Sequence, residues 1–367
     1  MALKRSRIFS PQNSQMSLPK PSFLSVHVIG TNGKGSVSTK IAYALEKAGY
    51  KVGLFTSPHL DCITERIQIN RKPIEKNHLE GLFKSAPSME SFFSPSFFIA
   101  FNYFQYHSVD FVVWEAGIGA RLDPIRLVDP FLTVITSLGF DHTQILGPTL
   151  EKIAREKGAL FTKDLVISRQ ALTSTIVTLA LERKANVAVA ETDEKDYQAS
   201  NTYTALKAVE FFRKKGIIPF CMEFKEFYSI VPKGRFEEVK EGIILDVAHN
   251  PQGLEALILK CREKYAEGGT LLLGGYRDKD LVLMVKKHHS YFEKILVWDG
   301  GKKNLRMYPK EELKEQLEKL TSRSIGLVQD LDLEHYLGEE KRGLLLITGG
   351  FAIVREARER LKGLLNP

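Results

Sequence analysis

The chain has 367 residues, 43% apolar, 26% charged and 10% aromatic, with 52 Lys plus Arg against 44 Asp plus Glu. This is a length for two domains, and the composition excludes wholesale disorder, a collagen-like fibre and a disulfide scaffold. The formal charge of +8 suits an anionic ligand, but half of it comes from Lys4, Arg5, Arg7 and Lys20 in an acid-free arm. No basic, aromatic-interleaved stripe points to nucleic acid. Cys62, Cys221 and Cys261 are far apart and form no CxxC, so a reducing compartment and a cytoplasmic location are expected. No apolar run approaches the ~18 residues of a membrane helix, and residues 1–22 lack the apolar stretch of a signal peptide.

After the polar arm of residues 1–22, Leu24 to Ile29 reads as a buried strand that runs directly into a glycine-rich turn. From Ser36 onward Val37, Ile41, Leu45 and Ala48 recur at helical spacing, with Gly49 as the C-terminal stop. Lys51 to Phe55, Asp110 to Trp114 and Leu132 to Ser137 follow as strands. This rhythm predicts a mostly parallel α/β sheet. Residues 158–232 mix strand-like runs with one clear helix, Asn201 to Lys215. A second strand set follows at Ile243–Leu245, Thr270–Leu273, Lys294–Trp298 and Leu344–Thr348, and the chain closes on a helix from Ile353 to Leu364. The expected organisation is an N-terminal P-loop-type domain over 23–232 and a smaller Rossmann-like α/β domain over 233–367.

The strongest chemical signal is Gly30-Thr-Asn-Gly-Lys-Gly-Ser36, set between a strand and a helix. Glycines let a backbone wrap a phosphate, while successive N–H groups and a helix N-terminus supply positive field. Lys34 can reach the outer phosphates and Ser36 the phosphate–magnesium unit. Relative to the usual P-loop, Gly35 is inserted between the two, and an ordinary glycine-rich turn is the alternative. Ser57, Glu115 and the pair Asp141-His142 each follow a strand. Ligands of doubly wound sheets bind at those carboxyl ends, so the three sites together would make a cation site. Taken singly, each is equally a hydrogen-bonded loop residue.

In the second domain, Gly234-Arg235-Phe236 and Asp246-Val-Ala-His-Asn-Pro251 are the polar clusters. Arg235 suits an anionic phosphate, Asp246 can accept from ribose hydroxyls, and His249 can line a nucleotide. A surface arginine and a proline-ended turn are the competing readings. Arg277-Asp-Lys-Asp280 and Thr348-Gly-Gly-Phe351 also follow strands, as site loops or as plain turns.

These motifs occur in a characteristic order: GTNGKGS, TSPHL followed by Thr64-Glu65-Arg66-Ile67, Glu115-x-Gly-x-Gly-x-Arg-Leu-Asp123, TSLGFDHTQILGPTLEKIAREK, GRFE, LDVAHNPQG and RDKD. From about residue 24 to the end, the chain resembles folylpolyglutamate synthases and dihydrofolate synthases of the Mur ligase superfamily. The resemblance implies a Mur ligase central-domain-like first domain. It also implies an ATP-dependent ligase, acting through an acyl phosphate, that joins L-glutamate to a pterin or folate carboxylate, and a monomer without nucleic-acid or membrane partners. Asn32, Gly33, Lys34, Gly35, Ser36, Asn201, Arg235 and Asp246 would hold ATP. Ser57, Glu115 and His142 would ligate Mg2+, two ions in all, and Lys157 would be carbamylated. Lys34, Lys157 and His249 would form the catalytic set.

The substrate side departs from the family pattern. The loop usually reading T-x-F-E is Ser91-Phe92-Phe93-Ser94 and lacks its carboxylate. Residues 91–94 and Leu122 are the expected acceptor-binding positions. G-L-G-G-R-L-D-A-T-N becomes Gly117 to Arg126, and E-K-A-G-I becomes Glu156 to Leu160. Only a short polar arm stands where relatives carry a helical segment, and the span from Lys157 to Asn201 is short. A Mur-type ligase for another carboxylate and a nucleotide-binding member without ligase activity are the alternatives. Retention of Lys34, Glu115, His142, Lys157, Arg235 and Asp246 argues against the second.

Overall fold

In the computed structural model, residues 18–85, 93–192, 196–300, 306–328, 331, 333 and 343–365 are described. The chain forms two compact units. The first comprises Met1–Gly139, Thr143–Asp193 and Gln198–Val231; the second comprises Phe140–His142, Glu194–Tyr197 and Pro232–Pro367. The single division expected near residue 232 therefore acquires two short excursions. Both carry residues that meet the loops of the second unit: Asp141 with Lys279 and Asn250, Tyr197 with Asp246.

The first unit is built on an eight-stranded sheet. Its strands are β1 (Leu24–Ile29), β2 (Val52–Phe55), β3 (Ile67–Ile69), β4 (Lys72–Pro73), β5 (Phe111–Glu115), β6 (Leu132–Ile135), β7 (Asp164–Ser168) and β8 (Asn186–Ala190). Their order is β4-β3-β2-β5-β1-β6-β7-β8, parallel except at β3 and β4. Helices α1 (Lys34–Lys47), α2 (Lys76–Ser85), α3 (Phe93–Tyr106), α4 (Thr143–Leu146), α5 (Leu150–Gly158), α6 (Ser174–Glu182), α7 (Tyr197–Lys214) and α8 (Phe224–Ser229) accompany it. β1 lies at the centre, flanked by β5 and β6, and apart from Leu24 it is wholly buried, Ser25 and His27 included. Val26 and Val28 pack with Val37, Ile41 and Leu45 of α1, whereas Ile29 joins Phe97, Phe101 and Trp114 in the core on the other face. From β1 the chain turns one way to β2 and later the other way to β6, so the loops at the carboxyl end of β1 open at a topological switch point.

Residues 158–232 prove more regular than their sequence indicated. They hold β7 and β8, which extend the parallel sheet, together with three helices. Asn201 was expected to open its helix, but α7 starts at Tyr197 and Asn201 stands in its second turn.

The second unit has a six-stranded sheet of β9 (Glu237–Lys240), β10 (Ile243–Leu245), β11 (Thr270–Leu273), β12 (Lys294–Val297), β13 (Ser324–Leu327) and β14 (Leu345–Thr348). The order is β13-β12-β11-β14-β10-β9, with only β9 antiparallel. Helices α9 (Pro251–Lys264), α10 (Leu281–Lys286), α11 (Lys310–Leu320) and α12 (Phe351–Leu365) complete it. Its core gathers Ile244, Leu254, Leu271, Val285, Ile295 and Leu346.

Candidate active site

The phosphate-type loop leaves β1 at Gly30 and enters α1 at Lys34. Gly33 caps the helix with φ of 84° and no side-chain hydrogen bond, leaving the N-terminus of α1 without a side-chain cap. A Cβ at Gly33 would lie 2.2 Å from Asn201 Oδ1, one at Gly30 2.1 Å from Thr136 Oγ1, and one at Gly35 3.4 Å from Glu115 Oε2. The loop is therefore glycine-specific at these close approaches. The strand end after β6 holds it in place: Thr31 N donates to Ser137 O (2.9 Å), Asn32 N to Ser137 Oγ (2.9 Å) and Thr136 Oγ1 to Asn32 O (2.6 Å). Lys34 Nζ donates to Thr31 O at 3.0 Å.

Two buried ionisable groups stand beside this loop. Glu115, 5% exposed at the end of β5, accepts from Ser57 N at 2.9 Å. Lys157, 3% exposed in the last turn of α5, donates to Gly30 O at 2.6 Å. The loop that carries Ser57 is fixed by Glu65, whose carboxylate accepts from Leu60 N, Asp61 N and Cys62 N at 2.8, 3.1 and 3.0 Å. Arg66 donates to His59 Nδ1 at 3.0 Å; burial lowers its pKa, against the charge of Glu115. Sequence reasoning left Asp123 without a role. It accepts from Gly117 N (2.7 Å) and Ile125 N (3.0 Å), and burial pushes its carboxyl up to about 7 despite those bonds and the charges of Lys34 and Lys157. The RLD stretch was the signal, but only the fold shows that this acid is buried beside the loop after β5.

A divalent ion and ATP phosphates fit this donor set in one respect. Glu115 sets a carboxylate against a phosphate-type loop, and two adjacent anions require a hard cation between them. Ser57 and Glu115 supply oxygen donors of the kind Mg2+ takes, with substrate phosphates and water completing the shell. Among the described residues, however, no group of three or more His, Cys, Asp or Glu side chains converges as a metal cluster. His142 belongs to the second unit, apart from the unit holding Ser57 and Glu115.

There His142 takes part in a different cluster. Asp141 Oδ1 accepts from Lys279 Nζ at 2.6 Å, and its Oδ2 lies 3.2 Å from both Asn250 Nδ2 and His249 Nε2. Lys279 Nζ is also 3.2 Å from His142 Nε2. Burial, with the charge of Lys279 beside it, lowers His142 to about 4, so its ring is a neutral acceptor for that ammonium. Burial alone would raise Asp141, but the hydrogen bond and charge of His249, with Lys279, hold its carboxyl well below the usual range. His249 Nδ1 lies 2.9 Å from Val247 O. The RDKD segment, open in sequence between site loop and plain turn, thus brings Lys279 onto Asp141.

The remaining predicted residues of the second unit lie in neighbouring loops. Asp246 is buried and accepts from Tyr197 Oη, Phe236 N and Ala248 N. The Arg235 guanidinium lies 5.4 Å from the Phe351 ring centroid. Ser36 is buried in the first turn of α1. Leu122 is 39% exposed on the first unit. Ser91 and Phe92 lie outside the described residues, while Phe93 and Ser94 open α3.

A glycine loop at a helix N-terminus, with a buried carboxylate and a buried lysine beside it, is a site for phosphoryl transfer, and residues 28–225 match the family model described as the Mur ligase middle domain. The dihydrofolate synthase/folylpolyglutamate synthase of Bacillus subtilis is 29% identical over 95% of this chain and 93% of its own length. That of Escherichia coli is 30% identical over 73% of this chain and 71% of its own. The solved structure of E. coli FolC in complex with DHPP and ADP gives a TM-score of 0.80 at 25% identity, covering 95% of this chain and 90% of that one. The chain belongs to the dihydrofolate synthase/folylpolyglutamate synthase family of Mur ligases.

Proposed function

We propose that this chain joins L-glutamate to a pterin or folate carboxylate at the expense of ATP. The acceptor carboxylate takes the γ-phosphoryl group to give an acyl phosphate and ADP. The glutamate amine attacks that carbonyl, phosphate leaves with the C–O electron pair, and the amine proton passes to solvent or a base. The observation that carries this reading is the placement of Glu115 and Lys157 directly against the Gly30–Ser36 loop, in a chain of this family.

The residues divide the work by charge. Lys34, the loop from Asn32 to Ser36 and the N-terminus of α1 hold the phosphates, with Asn201 against the loop. The Asn32 N–H is already given to Ser137 Oγ. Ser57 and Glu115 would hold Mg2+, a hard cation that would supply charge screening for the triphosphate. Lys157, unmodified or carbamylated, fixes Gly30 and faces the same charges. A second ion would engage His142 only after Lys279 leaves its Nε2. Arg235 and Asp246 contact the nucleotide, with His249 beside them. The acceptor lies against Leu122 and the 91–94 segment. The three cysteines form no disulfide among the described residues, in keeping with a reducing cytoplasm.

Glutamate-dependent ADP release, measured with dihydropteroate, tetrahydrofolate and tetrahydrofolyl-glutamate, tests this reading and separates its two activities. Release with none of the three overturns it. Nucleotide binding without any glutamate-dependent release would leave a binding-only protein.

A further inference from the structure

Asp246 is 4% exposed, and its oxygens are unequally occupied. Oδ2 accepts from Tyr197 Oη at 2.6 Å and from Phe236 N at 2.8 Å, whereas among the described residues Oδ1 accepts only from Ala248 N at 2.8 Å. A carboxylate offers about two acceptor positions per oxygen. Three are filled here, and the fourth, on Oδ1, remains open.

We propose that Tyr197 is a positioning residue: its hydroxyl locks the Asp246 carboxylate so that this one open acceptor is presented to a single ribose hydroxyl of the nucleotide. The inference rests on the reading of Asp246 as a nucleotide contact. Without the hydroxyl, one backbone donor would remain on each oxygen, Phe236 N on Oδ2 and Ala248 N on Oδ1, and the carboxylate would have more freedom to turn about its Cβ–Cγ bond. The same carboxylate ties together the two loops that carry Arg235 and His249. Phe236 sits at a φ of 46°, a left-handed conformation that a non-glycine residue keeps only when its surroundings hold it, and its N–H is one of the three donors. The ring of Tyr197 is itself held in place. Lys260 Nζ stands 5.9 Å from its centroid and 5.0 Å from that of Phe236, while pairing with Asp196 at 2.6 Å. Burial, and then the charge of Asp246, push the Tyr197 hydroxyl well above its usual value, so it stays a donor.

The test is calorimetric binding of ADP, 2′-deoxy-ADP and 3′-deoxy-ADP to the full chain and to its Tyr197→Phe variant, which keeps the ring and removes only the hydroxyl. A hydrogen bond to a charged acceptor predicts that the unaltered chain binds one deoxy nucleotide, and not both, at least about tenfold more weakly than ADP. In Tyr197→Phe that preference should fall to within about threefold. An unchanged preference with only a lowered melting temperature would reduce Tyr197 to a structural residue and overturn the proposal. Equal binding of all three nucleotides by the unaltered chain, a measurement that needs no variant, would also overturn it. ADP binding with the expected preference but without glutamate-dependent turnover would instead overturn the ligase reading alone.

Discussion

Asp123 makes the most direct test of the electrostatics around the phosphate loop. Its carboxyl is buried, accepts from Gly117 N and Ile125 N, and is pushed from 3.8 up to about 7 by burial. The folded chain therefore keeps a proton that the unfolded chain releases above about pH 4. The stability this contributes is complete below about pH 4 and is lost as pH rises through about 7. The separation between the two values corresponds to ~4 kcal/mol. Asp123→Asn keeps the shape and one acceptor oxygen but cannot titrate. Subtracting its unfolding free energy from that of the parent cancels the other carboxyls. This difference should decline by ~4 kcal/mol between about pH 4 and pH 8. Trp114 is buried in the first unit and the other tryptophan, Trp298, lies in the second, so a Trp298→Phe background lets urea unfolding followed by fluorescence report the relevant unit. A difference that stays constant within about 1 kcal/mol over that range would show that Asp123 is ionised in the folded chain, and that Lys34 and Lys157 outweigh burial.

Lys34→Ala should lower glutamate-dependent ADP release by about a hundred- to a thousandfold, the usual loss when one charged donor is removed from a preorganised transition-state site. Gly33→Ala places a methyl 2.2 Å from Asn201 Oδ1 at a φ of 84°, so calorimetry should find ADP binding weakened at least tenfold. Lys40 is 1% exposed in α1 and donates to the backbone carbonyls of Phe227 and Ile230 at the C-terminal end of α8; Lys40→Met should cost ~3 kcal/mol in urea unfolding, with Lys40→Arg recovering part of it.

The parallel sheets were legible because their strands are buried on both faces and read as apolar runs, unbroken in Phe111 to Trp114 and Leu271 to Leu273. β7 and β8 registered only as unplaced strand-like runs, because each is short and opens on a polar residue, Asp164 or Asn186. The start of α7 was misplaced for a related reason. Gln198, Ser200 and Thr202 are buried polar residues, and Thr202 and Thr204 turn their hydroxyls back to the carbonyls of Gln198 and Ser200. Such a turn carries no apolar periodicity, so the pattern registered only further along.

The candidate site shows the same division between what sequence marks and what only folding decides. Strand-end motifs marked Ser57, Glu115, His142 and Asp246, because ligands of such sheets bind at strand ends; Arg235 was marked by its charge at the domain boundary. Sequence spacing does not reveal which charges neutralise one another across loops far apart in the chain. Asp141 and Lys279 are separated by 138 positions, yet they pair at 2.6 Å, while burial, with the charge of Lys279, keeps His142 beside them a neutral acceptor. Asp246 likewise looks in sequence like a free ligand contact, whereas folding fills three of its acceptor positions with protein donors. A buried carboxylate is stable only when its lone pairs are met, so the protein itself must satisfy most of them before a ligand arrives. The capacity left over for substrate is then small and directional. It is set by residues such as Tyr197, which no motif singles out, and Lys279, to which the RDKD motif alone assigns no role.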